Sequence, residues 1–128
     1  MAKGHPDYQT WLGKAAGGGE LRYDIASLII ASETNTSSLI AVVPAGFEYI
    51  FLSCVVSSNN DSGIHNIDII ENISSAIFYS IAFTDKAVVD LAGMIFKAGE
   101  QLKTTVYNNA DAQAGFYYTI TYIKRKLS

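Results

Sequence analysis

The most strand-like segment of the chain is Phe47-Glu-Tyr-Ile-Phe-Leu-Ser-Cys-Val-Val-Ser57. The even positions from Ile50 to Val56 are all apolar, which is the pattern of one face of a strand. The odd positions include Tyr49 and Phe51, so the opposite face is also partly apolar. We therefore predict a long strand over 47–57 with apolar side chains on both faces.

Turn-forming residues bound this strand and divide the rest of the chain in the same way. Pro44-Ala-Gly46 precedes it and Ser57-Ser-Asn-Asn-Asp-Ser-Gly63 follows it, and both have typical turn compositions. Apolar or alternating runs predict further strands at 21–31, 38–43, 64–71, 74–83, 87–96, 101–107 and 116–123, of which 87–96 could divide at Gly93. About eight short strands at this spacing favour an all-β fold, an antiparallel β-sandwich of jelly-roll type.

The composition limits the size, the partners and the location of the protein. The chain has 128 residues, of which 49 % are hydrophobic and 16 % charged. This length fits one domain, predicted as a sandwich over 21–128 that follows an extended N-terminal arm over 1–20. The net charge of −3 argues against a nucleic-acid partner, and no stretch approaches the ~18 apolar residues of a membrane span. The N-terminus lacks an apolar signal-peptide core, so we expect a cytoplasmic protein or part of a particle assembled there.

No constellation of residues predicts catalysis or a cofactor. The two histidines, His5 and His65, lack a second imidazole or thiolate at the spacing of a metal site. In a strand, His65 shares a face with Glu71 but not with Asp68, and we expect its ring to be satisfied by solvent. Cys54, the single cysteine, lies in an apolar run and is predicted to be a buried thiol. We therefore expect a protein that is not an enzyme and that binds no cofactor and no metal.

The first 20 residues differ from the rest of the chain in composition. They contain the triplet Gly17-Gly-Gly19, but also large side chains that a plain flexible tail lacks. We interpret the segment as an arm that extends across the glycine-rich hinge and binds a neighbouring molecule; the alternative is a disordered terminus. The predicted contact residues of the arm are His5, Pro6, Asp7, Tyr8, Trp11 and Leu12.

The apolar content exceeds what one sandwich core can use. A two-sheet sandwich buries only one face of each sheet, whereas several of the predicted strands are apolar on both faces. The outer faces would then expose Tyr49, Phe51, Tyr117 and Ile123, and exposed patches of this kind mark interfaces. We therefore predict an obligate homo-oligomer, with these residues at the subunit contact and a closed ring as its symmetry.

Two sequence features resemble a known group of proteins. Gly4-His-Pro-Asp-Tyr-Gln-Thr-Trp11 is similar to a Gly-x-Pro-Asp-aromatic motif at the start of many small virion proteins of tailed phages. The domain also resembles theirs, with Val43-Pro-Ala-Gly46 before a long aromatic strand and Lys97-Ala-Gly-Glu100 before another. The resemblance implies a structural β-sandwich protein located in the virion, with the arm as a tether. It favours a trimer that contacts the major capsid protein or other virion proteins.

Among such proteins, we expect a head decoration or cement protein that stabilises the head by bridging capsid subunits. The alternatives are a tail or baseplate protein, and a receptor-binding or carbohydrate-binding sandwich. A sugar site would lie in the loops 57–63 and 108–115, with Tyr107, Asn108 and Asp111 as candidates. The basic cluster Lys124-Arg-Lys126 is open to two interpretations, a solvated strand end or a contact with an acidic neighbour.

Overall fold

The protein is described from a computed structural model that covers residues 19–127. These residues form eight antiparallel strands and no helix. In chain order the strands are β1 (Glu20–Ile30), β2 (Thr34–Val42), β3 (Phe47–Ser58), β4 (His65–Glu71), β5 (Ala76–Phe83), β6 (Lys86–Lys97), β7 (Gln101–Asn108) and β8 (Ala114–Lys126). Residues 1–18 of the predicted arm lie outside the described residues, and Glu20 is already the first residue of β1. Within residues 19–127, no helix is long and apolar enough to cross a membrane.

The strands make two four-stranded sheets with the strand order of a jelly roll. The first sheet has the order β1-β8-β3-β6 and the second sheet has the order β2-β7-β4-β5. Only β4 and β5 are consecutive in sequence and adjacent in one sheet, because every other connection crosses from one sheet to the other. The predicted all-β sandwich of jelly-roll type is therefore confirmed.

The core lies between the two sheets and is built by alternation along each strand. In β8, the even-numbered residues from Ala114 to Tyr122 are buried between the sheets, while the odd-numbered residues from Gly115 to Thr121 face outward. The core residues with the lowest exposure are Phe51, Cys54, Val56, Ile67, Ile69, Leu91, Leu102, Val106, Phe116 and Ile120. Because both sheets contribute β-branched and aromatic side chains, the sandwich closes without a disulfide.

A bulge in β3 changes which of its residues face the core. The register of β3 against both β8 and β6 shifts between Phe51 and Ser53, so that the inward positions are odd before the bulge and even after it. Tyr49 and Phe51 therefore point into the core together with Cys54 and Val56. The prediction of one continuous face of even positions is correct only for the second half of the strand.

Two other strand predictions differ in detail from the structure. The 87–96 segment is one strand, because Ala92 and Gly93 take positive φ angles of 55° and 71° and bend β6 without ending it. Strand β2 begins at Thr34, four residues before the apolar run, because its polar first half pairs with β7 at an open edge of the second sheet. Sequence periodicity does not detect such a half-exposed polar strand.

Candidate interaction surface

The outer face of the first sheet carries a surface without charged side chains over the middle of β1, β8 and β3, and it is bounded on β6 by the exposed Lys86 and Asp90, which lie opposite Ser57 and Ser53. Strand pairing aligns Ile25 with Thr119, Thr119 with Val55, and Val55 with Val88, in one row across all four strands. Ile25 and Ile29 are 77 % and 73 % exposed. We call the outward residues of β1, β8 and β3 in these rows the uncharged face: Tyr23, Ile25, Ser27, Ile29, Ser53, Val55, Ser57, Tyr117, Thr119 and Thr121. Its exposed apolar side chains, Tyr23, Ile25, Ile29 and Tyr117, make it a candidate interaction surface.

Of the four predicted interface residues of the domain, one is exposed on this face and three are buried. Tyr117 lies on the uncharged face and is 55 % exposed. Tyr49 and Phe51 are core residues, so the expectation that they are exposed is wrong; the β3 bulge turns them inward. Ile123 lies opposite Leu21 and both are buried, so its expected exposure is also wrong.

The exposed side chains of β1 are the part of the surface that sequence reasoning missed. The odd positions of β1 include Tyr23, Ile25 and Ile29, whereas two of its even positions are the charged Arg22 and Asp24. In a half-buried strand, the face with the charged residues normally points toward solvent. The structure does the reverse, because Arg22 and Asp24 lie on the inner side of β1 at the open edge of the sandwich. The two-residue spacing of Tyr23 and Ile25 indicates that both lie on the same face of the strand. It does not indicate whether the second sheet covers that face.

Polar contacts explain why charged residues are tolerated on the inner side of β1. The Tyr122 hydroxyl donates a hydrogen bond to the Asp24 carboxylate, and Arg22 forms an ion pair with Glu20. Burial raises the pKa of Asp24, while the Tyr122 hydrogen bond and the nearby Arg22 oppose that rise. Burial and the Asp24 charge raise the pKa of Tyr122 to about 12. The arrangement pairs these polar groups at the open edge of the core.

His65 is the first residue of β4, and its side chain is buried rather than exposed to solvent. Its ring is fully buried and lies 4.9 Å from the ring of Phe116, centroid to centroid. Nδ1 accepts a hydrogen bond from the backbone N–H of Asn109 at 3.2 Å, so Nε2 carries the proton and donates to the carbonyl of Asn60 at 2.6 Å. The expectation of a solvent-satisfied ring is wrong, because the residue joins the β3–β4 loop to the β7–β8 loop.

The loops proposed for sugar binding are held together by their own polar groups. The Asn108 side chain is fully buried and its amide N–H donates to the carbonyl of Ile30 at 2.8 Å. Asp111 accepts a hydrogen bond from the Ser62 hydroxyl at 2.9 Å, and Tyr107 is half-buried on the outer side of β7. Asn108 is therefore inaccessible to a ligand, which removes one of the three candidates for that site.

The Glu71 carboxylate has a structural role, and its pKa is shifted by the hydrogen bonds that it accepts. Its two carboxylate oxygens accept backbone N–H groups of Ile73 at 3.1 Å, Ser74 at 2.7 Å and Gln101 at 2.8 Å. Burial alone would raise the pKa of Glu71, but these hydrogen bonds lower it to about 2. Glu71 joins the β4–β5 turn to the start of β7 and is not placed to exchange protons with a substrate.

The remaining candidates for chemistry are structural within the described chain. Cys54 is a fully buried thiol, as predicted, and burial raises its pKa to about 12, which suppresses the nucleophilic thiolate. Among residues 19–127, no group of three His, Cys, Asp or Glu side chains could hold a metal ion. The predicted arm residues His5, Pro6, Asp7, Tyr8, Trp11 and Leu12 lie outside the described residues.

The basic cluster at the end of β8 is partly used within the fold. Arg125 forms an ion pair with Glu48 of β3, and the Lys124 ammonium lies 4.6 Å from the centre of the Phe47 ring. Lys124 and Lys126 also line an open cleft of about 260 Å³ together with Glu20, Arg22 and Phe47. The cluster therefore contributes to the end of the sandwich at which β1 begins.

Comparison with solved structures finds chains that resemble this one to different degrees. A chain of the cyanophage Pam1 capsid asymmetric unit matches with a TM-score of 0.55 and 16 % identity, over 96 % of this chain and 91 % of that chain. PirA matches with a TM-score of 0.49 and 13 % identity over 95 % and 99 % of the two chains. A chain of the Bacillus endospore appendages, a family of disulfide-linked pili, matches with a TM-score of 0.47 and 11 % identity over 86 % and 91 %.

The comparisons establish a fold and no family. No protein-family model matches the chain, and no curated protein sequence matches it. At 16 % identity, the similarity to the Pam1 capsid chain shows a shared fold, and the lower scores of the other two carry no argument.

Proposed function

We propose that the chain is a structural protein of a tailed-phage virion and that it acts as a head decoration or cement protein. The observation that carries this proposal is the uncharged face on a jelly roll, since its exposed apolar side chains are suited to assembly. The similarity of fold to a chain of a cyanophage capsid and the resemblance of Gly4–Trp11 to the phage virion motif both support it. Bridging adjacent capsid subunits would be its physical task.

The energetics of the uncharged face favour a bridge with several contacts. Complete burial of Ile25, Ile29 and Tyr117 would contribute about 1.5–3 kcal/mol each, before the entropic cost of association is subtracted. A single face therefore gives a weak contact, and an oligomer that binds through several faces gains strength through effective concentration. We propose a homo-oligomer, with a trimer as the number that the resemblance favours, bound to the major capsid protein.

The arm supplies the second contact in this proposal. Tyr8, Trp11 and Leu12 are large apolar side chains, and His5, Pro6 and Asp7 make up the motif beside them. Aromatic anchors of this kind dominate binding energy when they enter a pocket on a partner. A tether and a face acting together would hold each subunit at two points on the particle.

The location is tested by analysing purified virions of the phage that carries this sequence. We expect the protein in the head fraction at a fixed ratio to the major capsid protein, and heads that lack it should rupture at a lower temperature. Recovery in the tail fraction would replace the cement role with the tail or baseplate role. Absence from every virion fraction would contradict the proposal as a whole.

A further inference from the structure

The four edge strands of the sandwich differ in how well they are protected against pairing with another chain. An edge strand presents unpaired backbone groups, and natural proteins interrupt such edges with bulges, charges or proline. Strand β2 has a register shift at Ile40, β5 has one at Phe78, and β6 bends at Ala92 and Gly93. Strand β1 pairs with β8 through 11 consecutive residues without any shift.

The second half of β1 also lacks the protective devices that a strand can carry in its own sequence. Arg22 and Asp24 are inward-pointing charges that protect the first half of the strand. From Ile25 to Ile30 the sequence is Ile-Ala-Ser-Leu-Ile-Ile, with no charge, no proline and no glycine. A segment of this composition pairs readily with another strand when its edge is free.

We propose that the free edge of β1 is a contact between two copies of this chain, which pair β1 against β1 in antiparallel orientation about a two-fold axis at Ser27. The contact rests on the self-association proposed above, and because a two-fold contact joins only two copies, it would link one trimer to a neighbouring trimer rather than close the trimer itself. An axis perpendicular to the sheet keeps outward residues opposite outward residues. Ser27 then faces Ser27 of the second copy, and Ile25 faces Ile29.

Charge placement is compatible with this register. The overlap extends from Asp24 to Ile30, and Asp24 faces Ile30 of the second copy, so that no like charges oppose each other. Arg22 and Glu20 lie beyond the overlap. Pairing also places the uncharged faces of both copies on the same side, where they form one continuous surface for the particle.

The size of the contact determines when it forms. Seven paired residues at about 3.4 Å each, across a sheet about 10 Å thick, bury about 500 Å² in total. A stable interface needs about 1,200 Å² or more, so this contact is weak in dilute solution and is populated when other contacts hold copies together.

Disulfide trapping tests the contact in the full-length chain. Ser27 and Ser37 are both exposed, outward-facing serines on edge strands, but Ser37 lies on the bulged strand β2. Facing Cα atoms in an antiparallel pair are about 4.5–5.5 Å apart, which a disulfide can span. Under diamide oxidation at high protein concentration, Ser27→Cys should form covalent dimers at least about tenfold faster than Ser37→Cys. The native Cys54 is fully buried and does not compete.

The register has its own test. A mixture of Ile25→Cys and Ile29→Cys chains should form the mixed dimer, whereas each variant alone should cross-link at the rate of Ser37→Cys. Equal cross-linking rates for Ser27→Cys and Ser37→Cys at every concentration would overturn the proposal. The same result is expected if the chain's own residues 1–18 occupy this edge, and the proposal is then also wrong. If light scattering still shows a multimer in that event, self-association stands and only the β1 contact is refuted.

Discussion

Replacing Glu71 with glutamine tests the most quantitative electrostatic feature of the fold. The wild-type carboxylate satisfies three backbone N–H groups with two oxygens. In Glu71→Gln, one oxygen becomes an amide N–H₂ that faces a backbone donor, which leaves at least one N–H without an acceptor. A backbone donor that loses its acceptor costs about 1–3 kcal/mol, and less where water can reach it. Because Ile73 and Ser74 are exposed, we expect the variant to fold with a free energy of unfolding about 1–2 kcal/mol lower at pH 7.

The pH dependence of stability follows from the pKa of the same group. The folded-state pKa of about 2 lies below the ordinary value of 4.5. The stabilising contribution is therefore complete above pH 4.5 and is lost as pH falls toward 2. At about 1.4 kcal/mol per pKa unit the full shift corresponds to roughly 3 kcal/mol, and solvent screening at this exposed turn reduces the contribution to about 1–2 kcal/mol at pH 7, of which more than half is lost by pH 3.

Urea unfolding at pH 7, 5, 4 and 3 measures both effects. We expect the loss of stability between pH 5 and pH 3 to be about 1 kcal/mol smaller in Glu71→Gln than in the wild type. Glu33→Gln, at an exposed turn, is the matched control and should stay within about 0.5 kcal/mol of the wild type. Identical pH profiles for Glu71→Gln and the wild type would refute the assignment of these hydrogen bonds.

Three further predictions test the core, a loop and the assembly. Phe51→Ala should lower the free energy of unfolding by about 3–5 kcal/mol, because the ring packs on Phe96 and Tyr122. A loss below about 1 kcal/mol in urea unfolding would instead place Phe51 on an outer face. Gly63→Ala should cost at least about 2 kcal/mol, since its Cβ would lie 2.2 Å from the Asn109 carbonyl oxygen, and an unchanged melting temperature would contradict that packing. Light scattering at several concentrations should give a multimer near three times 13.9 kDa, and a mass of 13.9 kDa throughout would exclude a pre-formed oligomer.

Strand positions could be predicted from the sequence because their signals are local. Alternating side chains and turn residues define β3, β4, β7 and β8 without knowledge of the pairing partners. The inward phase of β3 could not be predicted, since the bulge after Phe51 arises from pairing with β8 and β6, which are distant in sequence. A shift of one residue exchanges the buried and exposed sets, which is why Tyr49 and Phe51 were assigned to the wrong face.

The candidate surface was harder to predict than the fold. Hydrophobic content indicated surplus apolar surface, and Tyr117 was identified correctly as exposed. Ile25 and Ile29 were not, because β1 has apolar residues on both faces and sequence alone does not show which one the second sheet covers. His65 was misplaced for a related reason, since its hydrogen-bond partner Asn109 lies 44 residues away in another loop.

Binding of the purified protein to heads that lack it tests most directly whether the uncharged face mediates assembly. Tyr117→Lys places a charge on that face at an exposed position, so the fold should remain intact. Ala82→Lys places the same charge on the outer face of the second sheet and is the matched control. We predict that Tyr117→Lys weakens sedimentation with heads by at least about 30-fold, while Ala82→Lys binds like the wild type. Equal binding by the wild type and both variants would contradict the assignment of the uncharged face as the assembly surface.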